Sequence, residues 1–388
     1  AEESIKGGET RRLDEVLGSQ DPFLYKSYRE GDIQVERKIA DGRYTVTFHF
    51  AEPSDIKPSE RLFDVFIEGL RVISNLDVML ARDGKIESAL TVTVPDIDVS
   101  DGEINVSLKG QRNAALLSAL VIRQAKQRDS AWKLAWSDEF NTGTTPDPKR
   151  WNVDIWPARV VNDEDQAYTN RAKNLRIEDG YLVIEAHKED FENAAYTSAR
   201  IHSMGKGDML YGRVEARVKV PVGQGTWAAV WMLPTDPFKY ATSCMTGDQW
   251  QGVDECDAWP NSGEIDILEH VGYQPGHIHG TVHNKAYYWM TWQQRKGRIL
   301  IDSVGEEFHD YALEWSPEKI DIFVNDDLYF SYVNEGTGWK EWPYDQPFHL
   351  ILNLAIGGGW GRAGGPIDDT KFPQRMLIDH VRVYELAE

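Results

Sequence analysis

The chain has 388 residues, of which 63 are acidic and 42 basic, giving a net charge of −21, and 41% of its residues are hydrophobic. This length suits two domains rather than one, and the hydrophobic content is sufficient for packed cores. The negative charge argues against nucleic-acid binding, which needs basic patches. Because no run of about eighteen apolar residues occurs, we expect no membrane-spanning helix.

The first third of the chain alternates apolar and polar residues with the period of β-strands. The alternation covers residues 44–50, 63–67 and 104–108, and the Asp-Gly pairs at 41–42, 83–84 and 101–102 are predicted turns. Many short strands separated by glycine turns predict a β-sandwich.

The same segments resemble malectin-like domains in their order along the chain. The matching stretches are Tyr28-Arg29, residues 42–52, residues 61–65 and residues 75–77. The resemblance implies a β-sandwich over residues 1–128 and a carbohydrate-binding module. The family's early strand, with its Gly-Gly pair and aromatic ligands, is not recognisable here. Sugar binding and a purely structural role therefore both stay open, and no ligand residues are predicted.

The distribution of tryptophan indicates a domain boundary. All fourteen Trp residues lie at or after Trp132, and the polar run 125–130 precedes them. We place the boundary near residue 128, with a second domain over residues 129–388. No signal peptide is visible, and Ala1 is expected to follow a removed one, as in a secreted or cell-surface protein.

The second domain also reads as β-structure. Strands are predicted over residues 182–187, 213–220, 308–315, 320–324, 349–355 and 376–384, and no helical periodicity extends over ten residues. The fold class is therefore all-β, with a jelly-roll sandwich after the smaller first sandwich. Residues 235–258 form a long loop carrying both cysteines, Cys244 and Cys256. A disulfide would fit an exported protein, and two free thiols are the alternative.

Residues 259–270 read W-P-N-S-G-E-I-D-I-L-E-H and carry the carboxylates of Glu264, Asp266 and Glu269. Glu264 and Asp266 share one face of the predicted strand, whereas Glu269 has the opposite parity. One β-bulge between them would return Glu269 to that face. Paired carboxylates on one face suit glycoside hydrolysis, and clustered negative charges should raise at least one pKa. A solvated sheet face gives the same alternation, so the pattern alone leaves both interpretations open.

This stretch resembles the signature of the family-16 glycoside hydrolases in its laminarinase-like form. Further matches follow in the family's order: W-S-D-E-F-N from Trp136, Y-G-R-V-E-A-R from Tyr211, W-A-A-V-W-M-L-P from Trp227, H-G-T-V-H from His279, L-N-L-A-I-G-G from Leu352 and D-H-V-R-V-Y from Asp379. The resemblance covers about 250 residues. It implies retaining endo-hydrolysis of β-1,3-glucan by a monomer, with Glu264 as nucleophile, Glu269 as acid and base, and Asp266 orienting Glu264.

The resemblance also implies contacts to the sugar. Asn162 and Glu164 match the family's N-x-E, although Val160-Val161 replaces the usual W-G before it. Apolar sugar faces stack on aromatic rings, whose area and rigidity suit that contact. The full set of expected substrate contacts is Asn162, Glu164, Arg200, Trp227, Trp231, Trp259, His283 and Trp360.

No cofactor is expected for catalysis, but the resemblance implies a structural calcium ion. The matching positions are Glu139, the backbone oxygen of Gly180, and Asp379, and oxygen ligands suit Ca²⁺. Zinc at His277, His279 and His283 is disfavoured, because His283 matches a cleft histidine of the family.

Three alternatives to a β-1,3-glucanase stay open. Another activity of the same family is one, such as a mixed-linkage glucanase, agarase, porphyranase or carrageenase. A non-catalytic β-glucan-binding protein is the second, although such relatives have lost the glutamates that this chain keeps. A transglycosylase is the third.

Overall fold

A computed structural model of the chain describes residues 3–124 and 132–386. It divides into two compact units, residues 1–128 with 289–300, and residues 129–288 with 301–388. The predicted boundary near residue 128 lies outside the described residues and stays a prediction. The division differs from a single cut, because residues 289–300 belong to the first unit although they lie within the sequence of the second.

The first unit is a β-sandwich of short strands. Its strands are β1 (Glu3–Lys6), β2 (Glu9–Arg12), β3 (Ser27–Glu30), β4 (Ile33–Lys38), β5 (Gly42–Phe50), β6 (Leu62–Ile67), β7 (Leu70–Leu76), β8 (Leu90–Val99), β9 (Glu103–Arg112), β10 (Leu116–Leu117), β11 (Ala119–Gln124) and β23 (Arg295–Leu300). They form three sheet segments in the orders β1-β4-β9-β6-β7, β10-β3-β2 and β11-β5-β8-β23. The predicted alternation is confirmed, since Val46, Phe48, Val65 and Val106 are all buried in one hydrophobic core.

Strand β23 joins the first unit by parallel pairing with β8, with Ile299 opposite Thr93. Ile299 and Thr93 are both fully buried. The sequence predicts no such pairing, because the two strands lie about two hundred residues apart along the chain. A segment late in the sequence therefore completes a sheet that begins in the first unit.

The second unit is a two-sheet jelly-roll sandwich, as predicted. Its strands are β12 (Trp132–Asp138), β13 (Asn152–Val153), β14 (Gln166–Tyr168), β15 (Leu175–Glu178), β16 (Tyr181–Phe191), β17 (Ala194–Ser198), β18 (Arg200–His202), β19 (Gly212–Lys219), β20 (Thr226–Pro234), β21 (Glu264–Val271), β22 (His277–His283), β24 (His309–Trp315), β25 (Lys319–Val324), β26 (Asp327–Val333), β27 (Phe348–Ile356) and β28 (Gln374–Leu386).

One sheet of this unit has the order β22-β21-β20-β27-β18-β13, and we call its outward side the site face. The other has the order β14-β17-β16-β28-β19-β24-β25-β26, with β12 on β28 and β15 on β16. Val230, Met232, Ile265 and Leu352 point inward from the first sheet and are fully buried. Because side chains alternate along a strand, the residues between them lie on the site face.

Within residues 3–124 and 132–386, helical structure is confined to single turns. The α-helical turns are α1 (Val78–Ala81), α2 (Ala258–Asn261) and α3 (Gly358–Gly361), and the 3₁₀ turns are Pro22–Tyr25, Trp289–Thr291 and Asp369–Lys371. Across residues 3–124 and 132–386, no helix has the length and apolar character needed to cross a membrane.

Candidate active site

The predicted β-bulge is present in the middle of β21. Asp266 and Leu268 pair with consecutive residues of β20, which leaves Ile267 without a partner there. Pairing with β22 shifts by one residue over the same interval. This extra residue reverses the parity of the strand, so Glu269 lies on the same face as Glu264 and Asp266. The structure therefore brings the three predicted carboxylates together on the site face.

Each glutamate is oriented by its own tryptophan. The indole Nε1 of Trp259 donates a hydrogen bond of 3.0 Å to Glu264 Oε2. The indole of Trp227 donates one of 3.1 Å to Glu269 Oε1. Because an indole N–H can only donate, each bond favours a carboxyl oxygen that carries no proton.

Burial raises the pKa of Glu264 to about 8, and the negative charge of Glu269 contributes in the same direction. The Trp259 hydrogen bond, the positive charge of Arg200 and the side chain of Asp266 oppose this rise in pKa. Two carboxyl groups that interact this strongly titrate as a pair, whose apparent pKa values belong to both. The pair can therefore hold one proton near neutral pH.

His283 lies opposite Glu264 in the strand pairing and faces two of the carboxylates. Its Nε2 is 3.7 Å from Glu264 Oε1 and 3.6 Å from Asp266 Oδ2. The three side chains offer ligand atoms close enough to hold one ion. Hydrolysis by paired carboxylates needs no metal, and an ion here would occupy the predicted nucleophile, so a metal does not fit the predicted role of this cluster.

Asn162 and Glu164, two of the predicted sugar contacts, lie together at the edge of the site face. Asn162 Nδ2 donates to Glu164 Oε1 at 3.2 Å. Gln166 Nε2 and the Tyr168 hydroxyl donate to Glu164 Oε2 at 2.8 and 3.2 Å. Burial raises the pKa of Glu164, and the three donors and the charge of Arg200 oppose that rise in pKa. Glu164 is thus a buried carboxylate held by neutral donors.

Arg200 contacts aromatic rings and an acid. Its guanidinium lies 4.5 Å from the ring centre of Trp156 and 4.9 Å from that of Trp231. Its Nε is 2.9 Å from Asp154 Oδ2, and only 4% of the residue is exposed. The sequence gives no signal for Trp156 or Asp154, which reach Arg200 from the residues just after β13.

The predicted aromatic residues form two groups on the site face. Trp227 and Trp360 meet edge to face at 5.4 Å, and Trp360 meets His279 in the same way at 4.9 Å. On the other side of the carboxylates, Trp259 is 5.9 Å from the His283 ring and 5.9 Å from that of Tyr288. Tryptophans therefore flank the carboxylates on both sides, as a sugar polymer would require.

Cys244 and Cys256 form a disulfide, which confirms the predicted pairing. The loop they close is tied to the turn before β21 through Asp257. The Asp257 carboxylate accepts hydrogen bonds from the backbone of Thr242 and Ser243 and from Asn261 Nδ2. The long loop is therefore anchored just beside Trp259 and Glu264.

The predicted calcium positions are already engaged with other side chains. Both carboxyl oxygens of Glu139 accept hydrogen bonds from the Arg382 guanidinium, at 3.0 and 2.8 Å. Asp379 Oδ2 is 3.0 Å from His380 Nδ1. A cation would have to compete with a guanidinium for the Glu139 carboxylate, so the side chains present do not fit the predicted ligand set well.

The chain matches two known protein families. A model described as Glycosyl hydrolases family 16 matches residues 162–372, and a Malectin domain model matches residues 4–131. The chain is 43% identical over 289 residues to the beta-glucanase of Rhodothermus marinus, which covers 72% of this chain and 96% of that protein.

Two solved structures are similar to this chain over 67% and 68% of its length. The laminarinase from Rhodothermus marinus gives a TM-score of 0.60 at 44% identity and covers 67% of this chain and 100% of its own. The non-specific endo-beta-1,3(4)-glucanase SCLam gives 0.59 at 37% identity, covering 68% of this chain and 94% of its own.

Proposed function

The chain belongs to the family-16 glycosyl hydrolases, and from that premise we propose that it cleaves β-1,3-glucan of the laminarin type internally, with retention of configuration. The observation that carries the proposal is the bulge at Ile267, which places Glu264, Asp266 and Glu269 on one face. The relatives named as a beta-glucanase and a laminarinase support this choice of substrate.

In the first step, a Glu264 oxygen attacks the anomeric carbon while Glu269 gives its proton to the departing glycosidic oxygen. The products are a glycosyl-enzyme ester and a shortened glucan. In the second step, Glu269 takes a proton from water, whose oxygen attacks the same carbon and frees Glu264. The sugar carbon is inverted twice, so the configuration is retained.

The mechanism needs the shared proton on Glu269, although burial and the charge of Glu269 raise the pKa of Glu264. Trp259, Arg200 and the side chain of Asp266 all favour the ionised form of Glu264. The nucleophile must be ionised and the acid protonated, and this is the state in which the negative charge rests on Glu264. Asp266 and His283 lie next to the nucleophile, where they orient its carboxyl group.

The aromatic groups on either side of the carboxylates provide the stacking surfaces for the glucan. We assign Trp259 to one side of the cleaved bond, and Trp227 and Trp360 to the other. Trp231 and Glu164, with Asn162, contact the sugar from the floor of the site face. Arg200 acts mainly through Trp231, because its guanidinium is covered by indole rings and Asp154.

The decisive experiment is product analysis on laminarin, curdlan, lichenan and agarose with purified protein. Release of β-1,3-linked oligosaccharides of mixed length from laminarin and curdlan is the expected result. Equal release from lichenan would indicate the mixed-linkage activity, to which the similarity to SCLam gives some support. Release from agarose alone would favour a galactan hydrolase.

Two outcomes of the same experiment would replace hydrolysis altogether. Binding of laminarin without any product would indicate a glucan-binding protein. Products longer than the starting oligosaccharide, at high acceptor concentration, would indicate a transglycosylase.

For the first unit, we propose a carbohydrate-binding role and assign it to a polar depression of about 790 Å³ lined by Gly8, Glu9, Arg11, Glu30, Arg61 and Asn113. Within this depression, Arg61 Nε is 2.7 Å from Glu52 Oε2, and Arg61 Nη2 is 2.8 Å from Glu30 Oε1. These two ion pairs fix the Arg61 side chain. Pull-down on insoluble glucan tests this, comparing Glu264→Ser with the double variant Glu264→Ser/Arg11→Ala. Equal retention of the two would place any binding elsewhere.

We also propose that the protein works outside the cell, because it carries a disulfide beside its candidate active site. A structural calcium at Glu139, Gly180 and Asp379 stays a prediction, although the Glu139 and Asp379 carboxylates are engaged by Arg382 and His380. A melting curve in EDTA and in calcium tests it, and a rise in Tm with calcium is the supporting result.

A further inference from the structure

A continuous chain of hydrogen bonds runs beneath the site face from Trp231 to Glu164. Trp231 Nε1 donates to Asn353 Oδ1 at 2.7 Å. Asn353 Nδ2 donates to the Tyr168 hydroxyl at 3.0 Å, and that hydroxyl donates to Glu164 Oε2 at 3.2 Å. Trp231 of β20 and Glu164, which lies just before β14, are thereby connected by Tyr168 and Asn353, which were not among the expected substrate contacts.

The direction of every bond in this chain is fixed by chemistry. An indole nitrogen only donates, so the oxygen of the Asn353 amide must face Trp231 and its nitrogen must face Tyr168. The Tyr168 oxygen accepts that bond, and its single proton is left for Glu164. Turning the Asn353 amide around, or pointing the Tyr168 proton at Asn353, would bring two donors or two acceptors together.

The donors and acceptors at the Glu164 end of this hydrogen-bond series are fixed in the same way. Glu164 accepts from Tyr168, from Gln166 and from Asn162. Gln166 cannot turn its amide around, because its oxygen accepts the backbone N–H of Ile356 at 2.7 Å. Glu164 is therefore held as an acceptor on both oxygens.

The two middle residues use their polar atoms within this series of hydrogen bonds. The Tyr168 hydroxyl and the Asn353 amide bind each other, Glu164 and Trp231, and Tyr168 is only 2% exposed. Trp231, in contrast, is partly exposed. Any influence of Tyr168 and Asn353 on the substrate must pass through Trp231 and Glu164.

We propose that Tyr168 and Asn353 are positioning residues, which fix the indole of Trp231 and the carboxylate of Glu164 in the orientation that binds the glucan. The proposal rests on the proposed function, since it takes Trp231 and Glu164 as sugar contacts. The two residues stabilise substrate and transition state alike, so their loss should raise KM and leave kcat nearly unchanged.

The test uses the full chain and two small substitutions. Tyr168→Phe removes the hydroxyl that joins Asn353 to Glu164. Asn353→Asp keeps an acceptor for Trp231 but replaces the donor that faces Tyr168. The matched control is Tyr311→Phe, because Tyr311 is also fully buried and its hydroxyl has no hydrogen-bond partner among the described residues.

The expected result is a KM for laminarin that rises about three- to tenfold in both variants, the size of one lost hydrogen bond, with kcat within about twofold of wild type. The Tyr311→Phe control should keep the wild-type KM. A second readout is hydrogen exchange of the Trp231 indole N–H, assigned as the NMR signal missing in Trp231→Phe. That signal should exchange faster in Tyr168→Phe and Asn353→Asp.

Unchanged exchange of the indole N–H in both variants would overturn the inference, as would an equal rise in KM for Tyr311→Phe. If wild-type protein cleaves no glucan, the proposed function fails, but the exchange measurement still tests the positioning role by itself.

Discussion

Replacing Trp259 by Phe should move the acidic limb of the pH–activity profile to higher pH. The indole of Trp259 donates to Glu264, and this bond lowers the pKa of that carboxyl against the rise caused by burial. Phe keeps an aromatic ring at this position but has no N–H group to donate to Glu264. Because the nucleophile must be ionised, activity is lost as pH falls through its pKa, and a higher pKa moves that loss upward.

The size of the shift follows from one hydrogen bond to a charged group, about 1.5–3 kcal/mol. At about 1.36 kcal/mol per pKa unit, the full effect would be about one to two units. The Glu264 side chain keeps 16% of its surface exposed, so water can replace part of the lost bond. We therefore expect a shift of about one unit, starting from a pKa of about 8 in the free enzyme.

The assay is kcat/KM on a soluble laminarin oligosaccharide between about pH 5 and 10, because that ratio reports the essential groups of the free enzyme. Trp227→Phe is the matched control, since it removes the donor to Glu269 and should act on the alkaline limb instead. Melting curves for both variants exclude unfolding as the cause. An acidic limb that stays in place in Trp259→Phe, or moves to lower pH, would refute the assignment of Glu264 as the ionised nucleophile.

The remaining predictions concern the two glutamates, the disulfide and the first unit. Glu264→Ser should lose turnover while its Tm and its binding of laminarin, measured by calorimetry, stay near wild type; residual wild-type turnover would rule out Glu264. Glu269→Gln should lose far more activity on laminarin than on an activated aryl glycoside, which needs little protonation, and equal losses would argue against its acid role. Replacing both Cys244 and Cys256 by Ser should lower the free energy of unfolding by about 2–4 kcal/mol in denaturant titrations, and an unchanged midpoint would mean that the Asp257 contacts hold the loop alone. Deleting residues 1–128 removes the partner of β23, so the truncated chain should melt lower and aggregate unless Ile299 is replaced by a polar residue; a truncated chain as soluble and stable as the full one would contradict this.

Strand periodicity was sufficient to predict the all-β class and the face on which the carboxylates lie. Glu269 had the wrong parity for a regular strand, and a bulge was the smallest change that could correct it, which the register of β21 confirms. The same reasoning could not give the orientation of the side chains. That depends on Trp227 and Trp259, which hydrogen-bond the glutamates across 42 and 5 residues of sequence.

The residues that the sequence missed are those whose partners are distant along the chain. Asn353 offered a signal, since it is a lone polar residue in the apolar run L-I-L-N-L-A-I, but its partners Trp231 and Tyr168 are 122 and 185 residues away. Glu139 looked like an available ligand because Arg382, which neutralises it, is 243 residues away. Ion pairs of this kind have no local pattern, so only the folded chain reveals them.

The membership of β23 in the first unit has a practical outcome for anyone who tries to separate the two parts of this protein. A protease that nicks the chain near residue 128 breaks only one of three covalent crossings between the units. The amino-terminal fragment would still hold Ile299 of the larger fragment through the edge of its own sheet. We expect the nicked halves to migrate together on a sizing column and to part only in denaturant.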